Sequence, residues 1–279
     1  MTLVFFTSES SLSNHFTRYY LQELKRTFPD LLIFSVKEKE LISIKNKLKT
    51  ILKLVKRKWN MWKWYYFLEY FFSYTIKLKF SSFESQKIDK LFEKKISMNV
   101  EELFKNRILV ESINGVKTIN ELKRYSPDII IQAGAGLLKQ GVIDIPRLGI
   151  INIHHGIAPL IKGMDSIYWA KWGNNESWLG ATIHYIDAGI DTGRVIKYIY
   201  PLRTNLNNSF SDIFYELSVD AIDNLIIFLV KNKVHESNNI ILDNVKTGTY
   251  NYRSSISGFR MLILAIRNQF KSEIRIVDK

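Results

Sequence analysis

The stretch PDIIIQAGAGLLKQGVIDIPRLGIINIHHG, residues 127–156, contains the pattern that decides the fold. Ile129–Ile131 is a short apolar run that predicts a buried strand, and Leu148–His154 is a second run of the same kind. Between the two runs lie a glycine-bearing turn and a helical segment near residues 137–142. Because apolar strands that alternate with helices are typical of α/β proteins, this stretch predicts a mostly parallel sheet.

The same alternation extends toward both ends of the chain. The polar stretch Thr7–Ser11 follows the first apolar run and supplies hydroxyl and carboxylate oxygens that can cap a starting helix. The predicted strands outside residues 127–156 are Leu3–Phe6, Leu31–Val36, Arg107–Glu111 and Val195–Tyr200. The predicted helices are Leu12–Thr27, Thr118–Tyr125, Ser209–Val230 and a basic helix near Arg260–Lys271.

Residues 37–106 interrupt this alternation. Ten Lys or Arg and only two Glu lie between residues 37 and 63, threaded with apolar residues at helical spacing. These apolar residues are Leu41, Ile44, Leu48, Ile51, Leu52 and Val55. An aromatic block, WNMWKWYYFLEYFFSY, follows over residues 59–74. Its length approaches that of a membrane span, but the charges of Lys63 and Glu69 exclude a transmembrane helix.

Three interpretations of this insertion remain. We favour a helical excursion that packs on the sheet, with its aromatic side chains in core contacts or in a homodimer interface. A basic amphipathic surface that contacts a membrane peripherally is the second interpretation and is not favoured. Nucleic-acid binding through alternating lysine and aromatic side chains is the third and ranks last, because a run of charges is usually a solvated helix face.

Composition sets further limits. A chain of 279 residues with 46% hydrophobic residues can bury a sizeable core. The absence of cysteine excludes disulfides and thiolate metal sites. The opening MTLVFF turns polar at Thr7 and has no basic flank, so we expect no signal peptide and a cytoplasmic protein. The net charge of +13 favours an anionic partner, or else reflects a generally basic proteome.

Polar residues cluster at one strand end. In a strand, residues two apart point to the same face, so Asn152 and His154 project together at its carboxyl end. In an open parallel sheet that end is where ligands bind. An amide N–H beside an imidazole suits a reaction in which a carbonyl oxygen gains negative charge while an amine loses a proton. Asp191, in a later glycine-bearing loop, can orient His154 or hold a water that carries protons.

Taken singly, these residues have simpler interpretations. Asn152 can cap a strand, the histidines can be satisfied core or surface residues, and Asp187 and Asp191 can hold a loop through Asx turns. A metal site from His154, His184 and Asp191 is a further alternative. No ligand-spacing motif is present, so we predict no metal.

The order of these motifs resembles a known family. Residues 127–156, followed by KGMDSIYWAKWGNNESWLGATIHYIDAGIDTGRVI at 162–196, closely resemble the N10-formyltetrahydrofolate-dependent formyltransferases. This family includes methionyl-tRNA formyltransferase, glycinamide ribonucleotide formyltransferase and the sugar N-formyltransferases. The resemblance covers roughly Ser126 to Tyr200 and hardly extends to the insertion or the C-terminal tail. Its catalytic Asn, His and Asp fall on Asn152, His154 and Asp191.

The resemblance implies the fold and the binding residues. It implies a Rossmann-like α/β formyltransferase fold, with a catalytic domain over 1–205, the helical insertion at 37–106 and a helical C-terminal extension over 206–279 packed on the core. Contacts to the pterin of N10-formyltetrahydrofolate would come from Gln132, Ala133, Gly134, Ala135, Gly136, Leu137, Ile186, Asp187 and Gly189. Contacts to the acceptor would come from His155, Gly156, Lys162 and Gly163, where the chain departs from the family's usual His-Pro-Ser-Leu-Leu-Pro and Arg-Gly.

The resemblance also implies the reaction. We expect transfer of a formyl group from N10-formyltetrahydrofolate to the amine of a small molecule, a nucleotide-linked amino sugar used for surface polysaccharide such as lipopolysaccharide O-antigen. The C-terminal tail is too short and too weakly strand-like for the tRNA-binding barrel of methionyl-tRNA formyltransferase. The alternatives are another amine, methionyl-tRNA bound through the basic insertion, a non-catalytic binding protein that keeps the fold, and a metal-dependent hydrolase that releases formate.

Overall fold

The computed structural model describes residues 1–37, 61–234, 252–253 and 256–277. The strands in this part of the chain are β1 (Leu3–Ser8), β2 (Leu32–Val36), β3 (Arg107–Val110), β4 (Ile129–Gln132), β5 (Gly149–His154), β6 (Lys162–Gly163), β7 (Ala181–Tyr185), β8 (Val195–Ile199) and β9 (Tyr252–Arg253). The helices are α1 (Glu9–Leu12), α2 (His15–Thr27), α3 (Met61–Glu93), α4 (Val100–Leu103), α5 (Val116–Tyr125), α6 (Gln140–Ile143), α7 (Ser166–Trp172), α8 (Phe210–Val234) and α9 (Gly258–Val277).

Seven strands form one sheet in the order β3-β2-β1-β4-β5-β7-β8. The first five strands of that order are parallel, as the sequence predicts, whereas β7 runs antiparallel to both β5 and β8. Strands β6 and β9 form a separate two-stranded parallel pair. The mostly parallel α/β fold predicted from the alternating pattern is therefore confirmed.

Apolar side chains cover both faces of the sheet. On one face, alternate strand residues such as Phe5, Ile131 and Ile151 pack against α2 and α8 in a large cluster. On the other face, Phe6 and Ile150 pack in a smaller cluster with residues of α5 and α6. Burial on both faces is what makes the central strands continuous apolar runs instead of alternating ones.

The first helical segment differs from its prediction. The single helix expected over Leu12–Thr27 is two helices, α1 and α2, and the first of them begins earlier, at Glu9. The cause is local hydrogen bonding: the Ser8 hydroxyl accepts from the Ser11 amide at 3.2 Å and caps α1, and Ser13 and Asn14 end that turn before α2 begins. The other elements predicted within the described residues lie within a few residues of their observed bounds.

The chain divides into two compact units. One unit contains residues 1–37 and 84–256, and therefore the whole sheet and α8. The other contains residues 38–83 and 257–279. This division groups α8 with the sheet and divides the insertion at Glu84. The domain bounds at residues 205 and 206 stay a prediction.

The insertion is helical where the structure describes it. Helix α3 covers Met61–Glu93, including most of the aromatic block, and α4 follows at Val100–Leu103. No helix among the described residues is long and apolar enough to cross a membrane. The apolar residues predicted at helical spacing between Leu41 and Val55 lie outside the described residues.

The C-terminal part of α3 is anchored by one aromatic residue. Phe92 is fully buried, and its ring centroid lies 5.4 Å from that of Phe16, 5.3 Å from that of Tyr19 and 4.9 Å from that of Tyr215. It therefore joins the end of the insertion to α2 and α8 within the unit that carries the sheet.

We predict that Phe92→Ala lowers the free energy of unfolding by about 3 to 5 kcal/mol, because it removes a ring from this aromatic cluster and leaves a cavity. Phe83→Ala on the same helix is the matched control: that side chain is 58% exposed, so its change should stay within about 0.5 kcal/mol. Urea denaturation of both variants measures the difference. Equal stability losses in the two variants would contradict this packing.

Candidate active site

Strand β5 brings two polar side chains to the carboxyl edge of the sheet. Ile150 is buried on the face covered by α5 and α6, and Asn152 and His154 continue that face toward the strand end. Asn152 is partly buried, whereas His154 is only 7% exposed. The predicted pairing of these two side chains on one face follows from the two-residue period of a strand.

Asp191 reaches this strand end from the loop after β7. It adopts a left-handed backbone conformation, with φ of 50°. Its Oδ2 atom accepts a hydrogen bond from the Gly163 amide at 2.8 Å and lies 3.4 Å from Nδ1 of His154. The structure therefore brings Asn152, His154 and Asp191 together, although they are separated in sequence.

A fourth residue, His184, completes the cluster. It lies in β7 directly opposite Asn152, so both side chains are on the same face of the sheet. Its Nδ1 atom donates to the Tyr185 carbonyl at 2.8 Å, and its Nε2 atom lies 3.3 Å from Asn152 Nδ2 and 3.6 Å from Asp191 Oδ1. The alternation of the run ATIHY is a sequence signal for the orientation of His184, although the sequence alone suggests no role for it other than that of a metal ligand.

Burial and charge act in opposite directions on the two central groups. Burial lowers the pKa of His154, and the nearby Asp191 carboxylate opposes that shift without cancelling it. For Asp191, burial alone would raise the pKa, but the hydrogen bond with His184, the charge of His154 and the Gly163 amide together lower it. Asp191 is therefore ionised at neutral pH and can accept a hydrogen bond from a proton donor.

The second ring nitrogen of His154 faces the loop before α7. Its Nε2 atom lies 3.3 Å from the Ile161 carbonyl oxygen and 3.3 Å from the Ser166 hydroxyl. Ser166 is the first residue of α7 and is 4% exposed. Nothing in the sequence pattern singles out Ser166, because its approach to His154 depends on the path of the intervening loop.

The glycine-bearing turn predicted to contact the pterin follows β4. Gln132 pairs with Asn152 across the β4–β5 ladder, and its side-chain amide donates to the Gly136 carbonyl at 2.7 Å. Gly134 and Gly136 both have positive φ, 84° and 93°, which side chains rarely adopt. Ala133 and Ala135 pack on the two apolar clusters, whereas Leu137 is 80% exposed.

The second predicted pterin-binding segment follows β7. The Ile186 amide donates to the Ile150 carbonyl at 2.7 Å, which fixes the start of the loop on β5. Asp187 accepts from the Gly189 amide at 2.9 Å and from the Thr192 hydroxyl at 2.6 Å, an Asx-type arrangement that holds the loop. Any side chain at Gly189 would collide with Thr192. A role for these residues in folate binding stays a prediction.

The residues predicted to contact the acceptor have different surroundings. Lys162 and Gly163 form β6 beside β9, and Gly163 also binds Asp191 through its amide. Gly156 lies against His154. His155 points to the opposite side of the strand, where its ring stacks on Phe214 with centroids 4.3 Å apart and its Nε2 atom lies 2.8 Å from the Ser218 hydroxyl. Acceptor binding by these four residues stays a prediction.

Metal-ligating side chains are a separate question. Within the residues that the structure describes, no group of three or more His, Cys, Asp or Glu side chains is arranged to hold a metal ion.

Residues 86–201 match the profile of the formyl transferase family. This segment contains Asn152, His154 and Asp191, and the sheet around it has the α/β formyltransferase fold. The resemblance predicted from the sequence is therefore confirmed over this segment. Members of the family use N10-formyltetrahydrofolate as the formyl donor, which is the donor that the resemblance implies.

Individual relatives match part of the chain. Methionyl-tRNA formyltransferase from Trichormus variabilis is 35% identical over 130 residues, 46% of this chain and 38% of that protein. The enzyme of the same name from Geobacter sulfurreducens is 31% identical over 121 residues, 42% of this chain and 38% of that protein. The match thus spans less than half the length of these relatives. A 4-N formyltransferase from Francisella tularensis superposes with a TM-score of 0.52 at 16% identity, covering 96% of this chain and 87% of that one.

The surroundings of His155 predict a pH effect on stability. Burial beside aromatic rings, and secondarily the charge of His154, lower its pKa to about 3. Below the ordinary histidine pKa of about 6.5 the unfolded chain binds a proton that the folded protein excludes, so stability falls as the pH decreases from there toward 3.

The variant His155→Gln cannot titrate but can still hydrogen-bond Ser218. Between pH 7 and pH 5, we predict that its free energy of unfolding decreases by about 1 to 2 kcal/mol less than that of the wild type. Denaturation at the two pH values measures this difference. Parallel losses in both proteins would show that His155 takes up its proton equally well in the folded state.

Proposed function

We propose that this protein is an N10-formyltetrahydrofolate-dependent N-formyltransferase. The observation that carries the proposal is the convergence of Asn152, His154 and Asp191 at the carboxyl end of β5, within the segment that matches the formyl transferase profile. An amide donor, an imidazole and an ionised carboxylate supply the three functions that formyl transfer between nitrogen atoms requires: stabilisation of negative charge, orientation and proton transfer.

The turn after β4 and the loop after β7 both fit a folate donor. The turn after β4 carries two glycines with positive φ, and a side chain added at Gly136 would meet no atom within 4 Å. That opening lets a planar ring approach the backbone closely. The loop after β7 is fixed at Ile186 and at Asp187, so it offers a second rigid edge. The bound donor would supply the formyl group, and these loops would place that group beside Asn152.

Asn152 is the donor for the formyl oxygen. Its side-chain nitrogen carries two N–H groups and lies 3.3 Å from His184 Nε2, a contact that involves at most one of them. The other N–H can point to an oxygen that gains negative charge when an amine attacks the formyl carbon. His154, two residues along the same face, adds to this stabilisation. Asp191 partly offsets the burial that disfavours the charged ring, and the negative charge that develops on the oxygen favours the charged ring further.

Asp191 transfers the proton. The attacking amine must lose a proton and the departing nitrogen must gain one, so a base close to both nitrogens accelerates the exchange. Asp191 has a lowered pKa and is therefore ionised when the amine binds. A water held by this carboxylate can accept the proton from the amine and deliver it to the leaving nitrogen.

We propose a nucleotide-linked amino sugar as the acceptor. The fold neighbour from Francisella tularensis is a 4-N formyltransferase, and its superposition covers 96% of this chain. Methionyl-tRNA is the second candidate, because relatives of that name are 31% and 35% identical over the matched segment.

Substitution of the two strand residues tests the catalytic assignment. We predict that Asn152→Ala and His154→Ala each lower turnover by about 100-fold or more, since each removes a group that stabilises the developing charge. Both variants should still bind folate, because the predicted pterin contacts lie in other loops. Single-turnover kinetics with N10-formyltetrahydrofolate and fluorescence titration with tetrahydrofolate give the two readings.

Asn224→Ala is the matched control for Asn152→Ala. Asn224 is also a partly buried asparagine, but it lies on α8 and donates to the Asp220 carbonyl at 2.7 Å. Its variant should retain wild-type turnover. Turnover close to that of the wild type in both Asn152→Ala and His154→Ala would refute the catalytic assignment.

The acceptor is identified by mass spectrometry of products. We expect a formyl mass gain of one nucleotide-linked amino sugar from a panel that carries amines at different ring positions, and none of methionyl-tRNA. Asp191→Ala should abolish that gain. Formylation of methionyl-tRNA alone would overturn the sugar assignment while leaving formyl transfer intact.

A further inference from the structure

Ser166 occupies a position next to the proposed catalytic histidine that the mechanism above does not use. Its hydroxyl lies 3.3 Å from Nε2 of His154, on the side of the ring away from Asp191. Both side chains are buried, at 4% and 7% exposure. A buried hydroxyl can donate and accept at the same time, which neither the Ile161 carbonyl nor the Asp191 carboxylate can do.

We infer that Ser166 is a positioning residue that selects the tautomer of His154, so that Nδ1 always presents its N–H to Asp191. The kinetic consequence rests on the proposed formyl transfer, but the tautomer itself is a property of the folded protein alone.

The neutral ring shows why a hydroxyl is needed. If Nδ1 carries the proton, it donates to Asp191 and leaves a lone pair on Nε2. That lone pair faces the Ile161 carbonyl oxygen at 3.3 Å, which only accepts hydrogen bonds, so the contact is repulsive. Ser166 removes the conflict because its O–H can donate to Nε2. In the other neutral tautomer the Nδ1 lone pair would face the Asp191 carboxylate, which is worse.

The charged ring is satisfied with or without the hydroxyl. Nδ1–H then donates to Asp191, and Nε2–H donates to the Ile161 carbonyl, to the Ser166 oxygen or to both. Ser166 therefore contributes more to the neutral ring than to the charged ring. Its removal should raise the pKa of His154.

The other charged or titratable groups near His154 do not replace this contact. Asp191 and His184 lie on the Nδ1 side, and His155 points to the opposite face of β5. Asp165, next to Ser166 in sequence, accepts from the Ile256 amide at 3.0 Å.

Gly156 makes the approach of Ser166 sterically feasible. A Cβ atom at this position would lie 2.7 Å from Nε2 of His154, 2.8 Å from Cβ of Ser166 and 3.0 Å from Cγ2 of Ile161. Any side chain there would push apart the two groups that the hydroxyl joins. The absence of a side chain at Gly156 thus allows the Ser166 hydroxyl to approach His154.

Ser166→Ala tests the inference, since it deletes the hydroxyl and little else. The loss of about one hydrogen bond from the neutral ring should move the His154 titration upward by about 0.5 to 1 pH unit. Nitrogen-15 NMR of histidine-labelled protein measures that titration and the tautomer without any substrate. The pH profile of kcat/KM should move upward by the same amount in the limb that His154 controls. This is the acidic limb if the ring acts as a base, and the basic limb if the charged ring stabilises negative charge.

Two further variants distinguish a positioning role of Ser166 from a general effect of the substitution on folding. Ser166→Thr keeps the hydroxyl and should restore the wild-type titration even if the added methyl group lowers kcat. Ser211→Ala removes another fully buried hydroxyl, which lies on α8 and pairs with Ser209, and should leave the titration unchanged. An unshifted His154 titration with Nδ1 still protonated in folded Ser166→Ala would overturn the inference, whether or not the protein transfers formyl groups.

Discussion

The partly buried carboxylate of Asp191 is the constraint on which the rest of the site depends. Removal of an ionised carboxylate from water costs several kcal/mol unless hydrogen bonds and opposite charge replace the lost hydration. Here the Gly163 amide, Nδ1 of His154 and Nε2 of His184 surround its two oxygens. These three partners belong to strands β6, β5 and β7, respectively. The position of the carboxylate therefore depends on how the three strands are arranged.

The antiparallel direction of β7 contributes to this arrangement. It places His184 directly opposite Asn152 and starts the loop after β7 beside Ile150, near the amino end of β5. A parallel strand at this position would instead start its following loop at the carboxyl end of β5. From its start the loop returns toward His154, which Asp191 contacts. The short return lets Asp191 reach His154 while Ile186 is still hydrogen-bonded to Ile150.

Much of this was accessible from sequence, because strands and strand ends follow local patterns. The apolar runs around Ile130 and Ile151 predict the sheet, and the two-residue period places Asn152 beside His154. The break between α1 and α2 was missed because the Ser8 cap competes with a continuous helical pattern. The Ser166 contact was inaccessible, since it joins the start of α7 to β5 through tertiary packing that no local period encodes.

The central claim is that this site moves a formyl group from N10-formyltetrahydrofolate to an amine. The most direct measurement is the ratio of tetrahydrofolate released to formylated amine formed, followed with a carbon-13 label in the donor formyl group. The account predicts a ratio of one, with the label on the amine and tetrahydrofolate release that depends on the acceptor. Release of tetrahydrofolate with labelled formate in the absence of any acceptor would contradict the account and indicate a hydrolase.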